Sequence, residues 1–210
     1  MARIRNDKLS GRLANAIFSS RYGKPYIKSR PSKVKNPKTP AQQKQRSKFR
    51  DANAFVSRNL HQLIRPYWNP EARCQQLSGQ NLFCKINIHA FDENGNPDFD
   101  ILKPVSGDLG GFENLNMDFL DNNIIEIRWT NNARDRKTNE NNCLKIFGLD
   151  AQNYAHDLNC NSKRKDEFCK IQSEMSVFFL FFWNENLKIA SEHRWVREKN
   201  SEGGNLSLIL

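Results

Sequence analysis

The residues best suited to chemistry in this sequence are the cations of its first quarter. Residues 1–50 hold 15 Lys and Arg against one acid, Asp7, so that segment carries a net charge of +14. The other 160 residues hold 18 basic and 22 acidic residues, so all of the excess positive charge, +10 for the chain, lies near the N-terminus. This asymmetry indicates a tail that meets a polyanion or an acidic surface.

Phosphate contact is the chemistry that these cations could perform. Lys and Arg release counterions when they neutralise phosphates, and interleaved aromatic rings can stack on bases. An Arg can hold a phosphate through two hydrogen bonds, whereas a Lys acts as a point charge. The sequence contains no helix-turn-helix or ribonucleoprotein signature, so we expect no sequence-specific recognition. The predicted polyanion-binding residues are Arg3, Arg5, Lys8, Arg12, Arg21, Lys24, Lys28, Arg30, Lys33, Lys35, Lys38, Lys44, Arg46 and Lys48.

Apolar residues within the same segment favour a second interpretation, contact with a protein. β-Formers flank the turn-like stretch 22–25, which predicts a β-hairpin, with a short helix over residues 13–17 as the alternative. An isolated hairpin is only marginally stable, so it needs a surface such as the sheet edge of a neighbouring subunit. A third interpretation is a solvated basic tail that only aids solubility. The predicted partner-contact residues are Ile17, Phe18, Tyr22, Tyr26 and Ile27.

Catalytic chemistry has little support in the sequence. It contains no phosphate-binding glycine loop, no Gly-x-Ser-x-Gly and no His-Glu-x-x-His. The four histidines are scattered, and His156-Asp157 near Cys160 comes nearest to a set of metal ligands. A hydrolytic or carbohydrate-active enzyme would depend on the loop carboxylates, which are Asp92, Asp98 and Asp108. We therefore predict a non-enzymatic protein without catalytic residues, metal, cofactor or small-molecule substrate.

Cysteine usage and hydropathy predict a cytoplasmic protein with no membrane partner. The five cysteines are an odd number with no Cys-x-x-Cys pair, which favours free thiols. The longest apolar run has seven residues, 177–183, whereas a bilayer requires about 20. No secretory signal is visible at the N-terminus. The alternative setting is a virion or a large intracellular assembly.

Three segments are predicted along the chain. Residues 1–38 form a basic arm, which contains the hairpin and a proline-rich strap. Residues 39–70 form an amphipathic helix with Thr39 at the N-cap and Gln42 completing a capping box, and this helix is expected to stop at Pro66. Residues 71–210 form a β-sandwich, because several short runs of alternating hydrophobicity are separated by turn residues.

The strand pattern predicts a mainly β, antiparallel, immunoglobulin- or fibronectin-like sandwich after the arm and the helix. Trp129 is expected to anchor its core. The run 177–183 is apolar on both alternating faces, which predicts a central strand that is covered on both sides. The predicted strands are residues 81–91, 98–102, 115–120, 123–130, 143–148, 167–171, 175–183 and 188–195.

Several of these residues resemble a known family. The stretches Ser10–Arg12, Ile17-Phe18, Gly23-Lys24, Lys28–Pro31, Asn36–Thr39 and Gln45-Arg46 resemble the start of an uncharacterised family of Bacteroidota proteins of about 200 residues. The stretches Ile127–Trp129, Phe178–Trp183 and Ala190–Glu192 resemble its C-terminal half, which implies a fibronectin- or immunoglobulin-like sandwich. Tyr22 stands where that family usually carries a tryptophan. The resemblance implies a fold and a non-enzymatic character, and it supplies no catalytic residue.

Two functions are therefore expected of the arm. The first is a structural role in an assembly, in which the arm clasps another subunit of the same protein or a different protein. The alternative is binding of DNA or RNA without sequence specificity, as in a ribosome-, nucleoid- or phage-associated protein.

Overall fold

Residues 1–43 and residues 44–210 form two separate units in a computed structural model of the chain. The structure describes residues 3–5, 8–21, 23–33 and 36–197, with the backbone alone for residues 3–5, 8, 9, 21 and 121. Strands account for 35% of the described residues and helices for 28%, which confirms the predicted mainly β class.

The first unit contains a four-stranded antiparallel sheet in the order β1-β2-β3-β4. Its strands are β1 (Arg3–Arg5), β2 (Lys8–Leu13), β3 (Ala16–Arg21) and β4 (Lys24–Ser29). The predicted hairpin is therefore confirmed as β3 and β4, and the alternative of a short helix near Leu13 is wrong. In the turn between them Gly23 has a φ of +80°, a conformation that side chains with a Cβ rarely adopt.

Four helical segments follow the arm. They are α1 (Pro40–Arg58), a π-helical segment (Leu60–Trp68), α2 (Asn69–Cys74) and α3 (Gly79–Asn87). Within the described part of the chain, none of these helices has the length and apolar character that crossing a bilayer would require.

The start of α1 has the predicted N-cap but not the complete capping box, and its end differs from the prediction. The Gln42 N–H donates to Thr39 Oγ1 over 3.4 Å, as expected of an N-cap, while Gln42 Oε1 has no hydrogen-bond partner among the described residues. The predicted stop at Pro66 is wrong, because the chain continues past it in wider turns. The Ile64 N–H donates to Asn59 O five residues back, over 3.1 Å.

Two sheets make up the β-rich part of the second unit. One has five strands in the order β11-β10-β7-β8, with β12 also paired to β10, and the other has three strands in the order β5-β6-β9. All of the strand pairs in both sheets are antiparallel. The strands are β5 (Glu113–Leu120), β6 (Ile124–Thr130), β7 (Cys143–Leu149), β8 (Ala155–Asp157), β9 (Phe168–Gln172), β10 (Val177–Asn184), β11 (Ile189–Ala190) and β12 (Arg194–Arg197).

The two sheets share one hydrophobic core, which is the arrangement of a sandwich. Ile127 and Trp129 of the smaller sheet and Phe182 of the larger one belong to the same buried cluster. Trp129 is 4% exposed, and its indole lies 5.8 Å from the Phe182 ring. Its Nε1–H also donates to Arg164 O over 2.8 Å. The prediction that Trp129 anchors the core is confirmed.

The helices cover the opposite face of the five-stranded sheet. Phe179, Phe181 and Trp183 of β10 belong to a second buried cluster with Tyr67 and Trp68 of the π-helical segment. The Tyr67 ring meets the Phe181 ring edge to face, with centroids 5.0 Å apart. The alternate residues of β10 face the inter-sheet core. The run predicted to be central is therefore covered on both sides.

Two predicted strands are not strands, and a third, residues 188–195, is divided into the separate strands β11 and β12. Residues 81–91 begin within α3, which is capped by Ser78 Oγ accepting from the Asn81 N–H over 3.2 Å. Phe83 breaks the alternation that suggested a strand, and with Leu82 it forms the buried face of a helix. The other segment, residues 98–102, folds as a turn in which Asp98 Oδ1 accepts from the Asp100 N–H over 3.0 Å. That side-chain hydrogen bond replaces the ladder of a hairpin.

We expect one half-buried histidine to make the second unit acid-sensitive. Burial lowers the pKa of His193 from 6.5 to about 4, with Arg194 and Lys103 adding to the shift. As the pH falls, the unfolded chain takes up a proton on this histidine before the folded chain does. The second unit therefore keeps its full stability above pH 6.5 and loses part of it as the pH falls towards 4. His193→Gln should reduce the loss of unfolding free energy between pH 7 and pH 4.5 by about 2 kcal/mol. Urea titrations at both pH values test this, and equal losses in the two proteins would contradict it.

Candidate binding surfaces on the N-terminal arm

The register of the arm sheet places side chains on two faces. Phe18 of β3 lies opposite Gly11 of β2 and Ile27 of β4, and Leu13 lies opposite Ala16. Directly opposed residues in an antiparallel sheet point to the same face, and alternate residues along a strand share a face. One face is therefore apolar. We call it the arm apolar face, formed by Leu13, Ala16, Phe18 and Ile27.

The opposite face collects cations. Ile17 lies opposite Arg12 on one side and Lys28 on the other, and Tyr26 and Lys24 alternate with Ile27 along β4. We call this the arm basic face, formed by Arg12, Ile17, Lys24, Tyr26 and Lys28. The backbone register pairs Arg3 with Ser10, Arg5 with Lys8 and Arg21 with Lys24. Four further predicted cations, Arg3, Arg5, Lys8 and Arg21, therefore occupy the same alternate set of positions.

The arm sheet lacks a core of its own. None of the residues up to position 43 whose side chains the structure describes is buried. Ile27 is 66% exposed and Leu13 is 60% exposed, while Phe18 is half-buried. A sheet of three or more strands becomes stable when an apolar face is covered. The arm apolar face is thus a surface that could gain stability by packing against a partner.

The predicted partner-contact residues are divided between the two faces. Phe18 and Ile27 lie on the arm apolar face, whereas Ile17 and Tyr26 lie on the arm basic face. Tyr22 lies outside the described residues, as does Lys35. Leu13 was not predicted as a contact residue. The alternation of side chains along β2, together with the pairing of β2 with β3, could have identified it.

Other predicted cations lie outside the arm sheet. Arg30, Lys33 and Lys38 are exposed in the segment between β4 and α1. Lys44, Arg46 and Lys48 belong to the second unit, on α1. Lys44 forms an ion pair with Glu93, and its contact lowers the pKa of that carboxyl. Of these three α1 cations, Lys44 therefore already has an acidic partner within the second unit.

The net charge of the chain lies in its first unit. Residues 1–43 hold eleven Lys and Arg and one acid, a net charge of +10, while residues 44–210 hold 22 of each sign. The single acid of the first unit, Asp7, lies outside the described residues. This excess of cations over acids gives the first unit a positive potential that attracts external anions.

The groups considered for catalysis have structural partners. Asp92 Oδ1 accepts from the Asn94 and Asn96 N–H groups, both over 2.8 Å, and Asp108 Oδ2 accepts from Lys137 Nζ over 2.8 Å. His156 Nε2 lies 3.0 Å from Asp150 Oδ2. Within the residues that the structure describes, no three His, Cys, Asp or Glu side chains are arranged to hold a metal ion.

Comparison with known proteins places the chain in a family. Residues 8–142 match the family of unknown function DUF6266. The chain belongs to DUF6266. The match includes the arm strands from β2 onward, the helical layer and strands β5 and β6. Most residues of both arm faces therefore lie within the part of the chain that matches the family. The expectation of an uncharacterised family is confirmed. No curated protein and no solved structure matches the chain.

Proposed function

We propose that this DUF6266 protein is a non-enzymatic structural protein whose arm clasps a neighbouring copy of the chain in a larger assembly. The observation that carries the proposal is the exposed arm apolar face. Leu13 and Ile27 together place branched apolar side chains in water, and burying them against a partner would be favourable. The open edge of β4, where all six residues are exposed, offers a second means of attachment by strand addition.

The charge distribution permits a second copy of the chain as the partner. The arm unit has a net charge of +10 and the second unit is neutral, so the second unit of a neighbour repels an arm much less than another arm would. The second unit also has large exposed apolar side chains of its own that could receive the arm. These are Phe49, Ile101, Leu120, Phe168 and Leu187.

The alternative is binding of nucleic acid without sequence specificity. The arm basic face supports this alternative, because Tyr26, which is 42% exposed, lies between Lys24 and Lys28 along β4. Arg12 lies on the same face of the sheet. Cations beside an aromatic ring suit contact with phosphates and stacking on a base. Under either function we infer a cytoplasmic protein or a component of a large intracellular assembly, from a member of the Bacteroidota.

Two neighbouring substitutions separate these functions. Ile27→Asp changes the arm apolar face and Lys28→Ala changes the arm basic face, and each lowers the net charge by one. In sedimentation equilibrium we expect Ile27→Asp to weaken self-association at least tenfold, since it buries an unpaired charge in the contact. We expect Lys28→Ala to leave self-association within about twofold of the original protein, because rim charges contribute little to affinity.

The opposite pattern would support the nucleic-acid function. Retention on immobilised DNA and RNA is measured for the same two variants at low and moderate salt. Loss of retention in Lys28→Ala, a steep salt dependence and no effect of Ile27→Asp on self-association would contradict the clasp.

A further inference from the structure

Two cysteines from different sheets meet in the inter-sheet core. Cys169 lies on β9 of the three-stranded sheet, opposite Ile127. Cys160 lies in the segment after β8 that runs beside β7 of the five-stranded sheet. That segment is held there by the Leu158 N–H donating to Ile146 O over 3.0 Å and by the Leu144 N–H donating to Ser162 O over 2.8 Å.

The two sulfur atoms are in contact. Cys160 Sγ and Cys169 Sγ lie 2.6 Å apart, and the side chains are 8% and 5% exposed. Both are thiols in the structure, and both belong to the buried cluster between the sheets. A disulfide bond needs its sulfur atoms about 2.05 Å apart, so little movement would join this pair.

The other three cysteines have different surroundings. Cys74 is exposed, and its sulfur lies 3.9 Å from Pro70 O. Cys143 is half-buried, with its sulfur 3.8 Å from Asn141 O. Cys84 is buried in the separate core beneath the helices. They serve as internal controls for any chemistry assigned to the pair.

We propose that Cys160 and Cys169 are a redox modification site, at which a peroxide joins them in a disulfide that links the two sheets. The oxidant must be small, because both thiols are nearly enclosed. Hydrogen peroxide fits this requirement, and a bulky disulfide oxidant does not.

The environment assigns different roles to the two sulfurs. The contact with Cys169 lowers the pKa of Cys160, and the Ser162 hydroxyl contributes to the same effect. The same contact, together with burial, raises the pKa of Cys169. The lowered pKa favours the thiolate on Cys160 over that on Cys169, and we assign Cys160 as the sulfur that attacks an oxidant.

The reaction balances with one peroxide. The Cys160 thiolate attacks one peroxide oxygen, the O–O bond breaks, and a sulfenic acid and hydroxide form. Cys169 gives up its proton and attacks the Cys160 sulfur, which forms the S–S bond and expels the sulfenic oxygen as hydroxide. The two thiol protons end in two water molecules. Two thiols have been oxidised by two electrons, and the peroxide has been reduced.

The disulfide would brace the segment that seals the end of the sandwich. Residues 160–169 include Arg164, whose carbonyl oxygen accepts from Trp129 Nε1 and whose guanidinium donates to Gly110 O over 2.7 Å. Cross-linking the ends of this segment removes conformational freedom from the unfolded chain. We expect the oxidised protein to melt about 5–10 °C higher than the reduced protein.

Peptide mapping tests the proposal on the full chain carrying Cys74→Ser, which removes the exposed thiol. The protein is treated with hydrogen peroxide near stoichiometry, unfolded, alkylated and digested without reductant. We expect one linked peptide pair that contains Cys160 and Cys169, a mass lower by two hydrogens, and alkylated Cys84 and Cys143. Alkylation of both Cys160 and Cys169 after treatment, or pairing of either with another cysteine, would overturn the proposal.

Melting temperatures provide a second test. The peroxide-treated protein should melt higher than the same sample after reduction, and Cys169→Ser should show no such difference. If the disulfide forms and the melting temperature does not rise, the inter-sheet brace is contradicted. Because the mapping uses the folded Cys74→Ser protein, its result does not depend on whether Cys169→Ser folds.

Discussion

We expect Trp68→Ala to lower the free energy of unfolding of the second unit by about 4 kcal/mol. Trp68 is fully buried at the end of the π-helical segment, and its indole meets the Phe83 ring edge to face with centroids 5.2 Å apart. Its Nε1–H donates to Pro104 O over 2.7 Å. The substitution therefore leaves a large cavity and an unpaired buried carbonyl. Urea denaturation followed by circular dichroism measures the effect.

Two control substitutions separate the contributions. Trp68→Phe keeps most of the buried ring and loses the hydrogen bond, so it should lower the free energy of unfolding by about 1–2 kcal/mol. Phe49→Ala removes an aromatic ring that is 53% exposed on α1, and it should change the free energy by less than about 1 kcal/mol. An effect of Trp68→Ala no larger than that of Phe49→Ala would show that the helical layer does not depend on this residue.

The parts of the sandwich that could be predicted are those in which the apolar pattern of a single strand indicates its burial. The run from Val177 to Trp183 is too short for a membrane span and apolar at every position, which only a strand covered on both sides accommodates. Trp129 alternates with Ile127 and Ile125 along β6, so its burial followed from period two. The antiparallel pairing followed from the short turns between strands.

The helical layer could not be predicted in full because local patterns there were ambiguous. Leu82, Cys84 and Ile86 alternate as a strand would, whereas Phe83 interrupts this pattern, and the packing of α3 against the π-helical segment is consistent with the helix. Pro66 indicates a helix end in isolation. The continuation of the helix past Pro66 depends on Asn59, a buried residue whose side-chain Oδ1 accepts from the Ala155 N–H over 2.7 Å. Such long-range contacts leave no periodic trace in the sequence.

The amino-acid composition identified the residues of the candidate site, but it did not predict the strand register that arranges them. The basic and apolar residues of the arm could be identified from the sequence, and they suggested two incompatible partners. Their separation onto two faces depends on which residues of β2, β3 and β4 are opposed, with Phe18 between Gly11 and Ile27. Register depends on the two turns, and a shift of one residue would exchange the faces. Composition alone therefore predicted the residues but not their separation.

Removing residues 1–38 should abolish self-association and leave the second unit folded. The deletion takes away the whole arm sheet, including the exposed Leu13 and Ile27. It keeps Thr39 as the cap of α1 and both buried clusters, which lie within residues 52–196. A truncated chain that no longer self-associates should therefore still be folded. Circular dichroism with thermal melting checks that it is.

Light scattering coupled to size-exclusion chromatography, on the full chain and on the chain lacking residues 1–38, tests the clasp most directly. Both proteins are treated with nuclease and compared at equal concentration and moderate salt. We predict a multimer for the full chain and a monomer for the truncated chain. The same number of subunits in both proteins, or a multimer of the full chain that nuclease alone dissolves, would contradict the clasp.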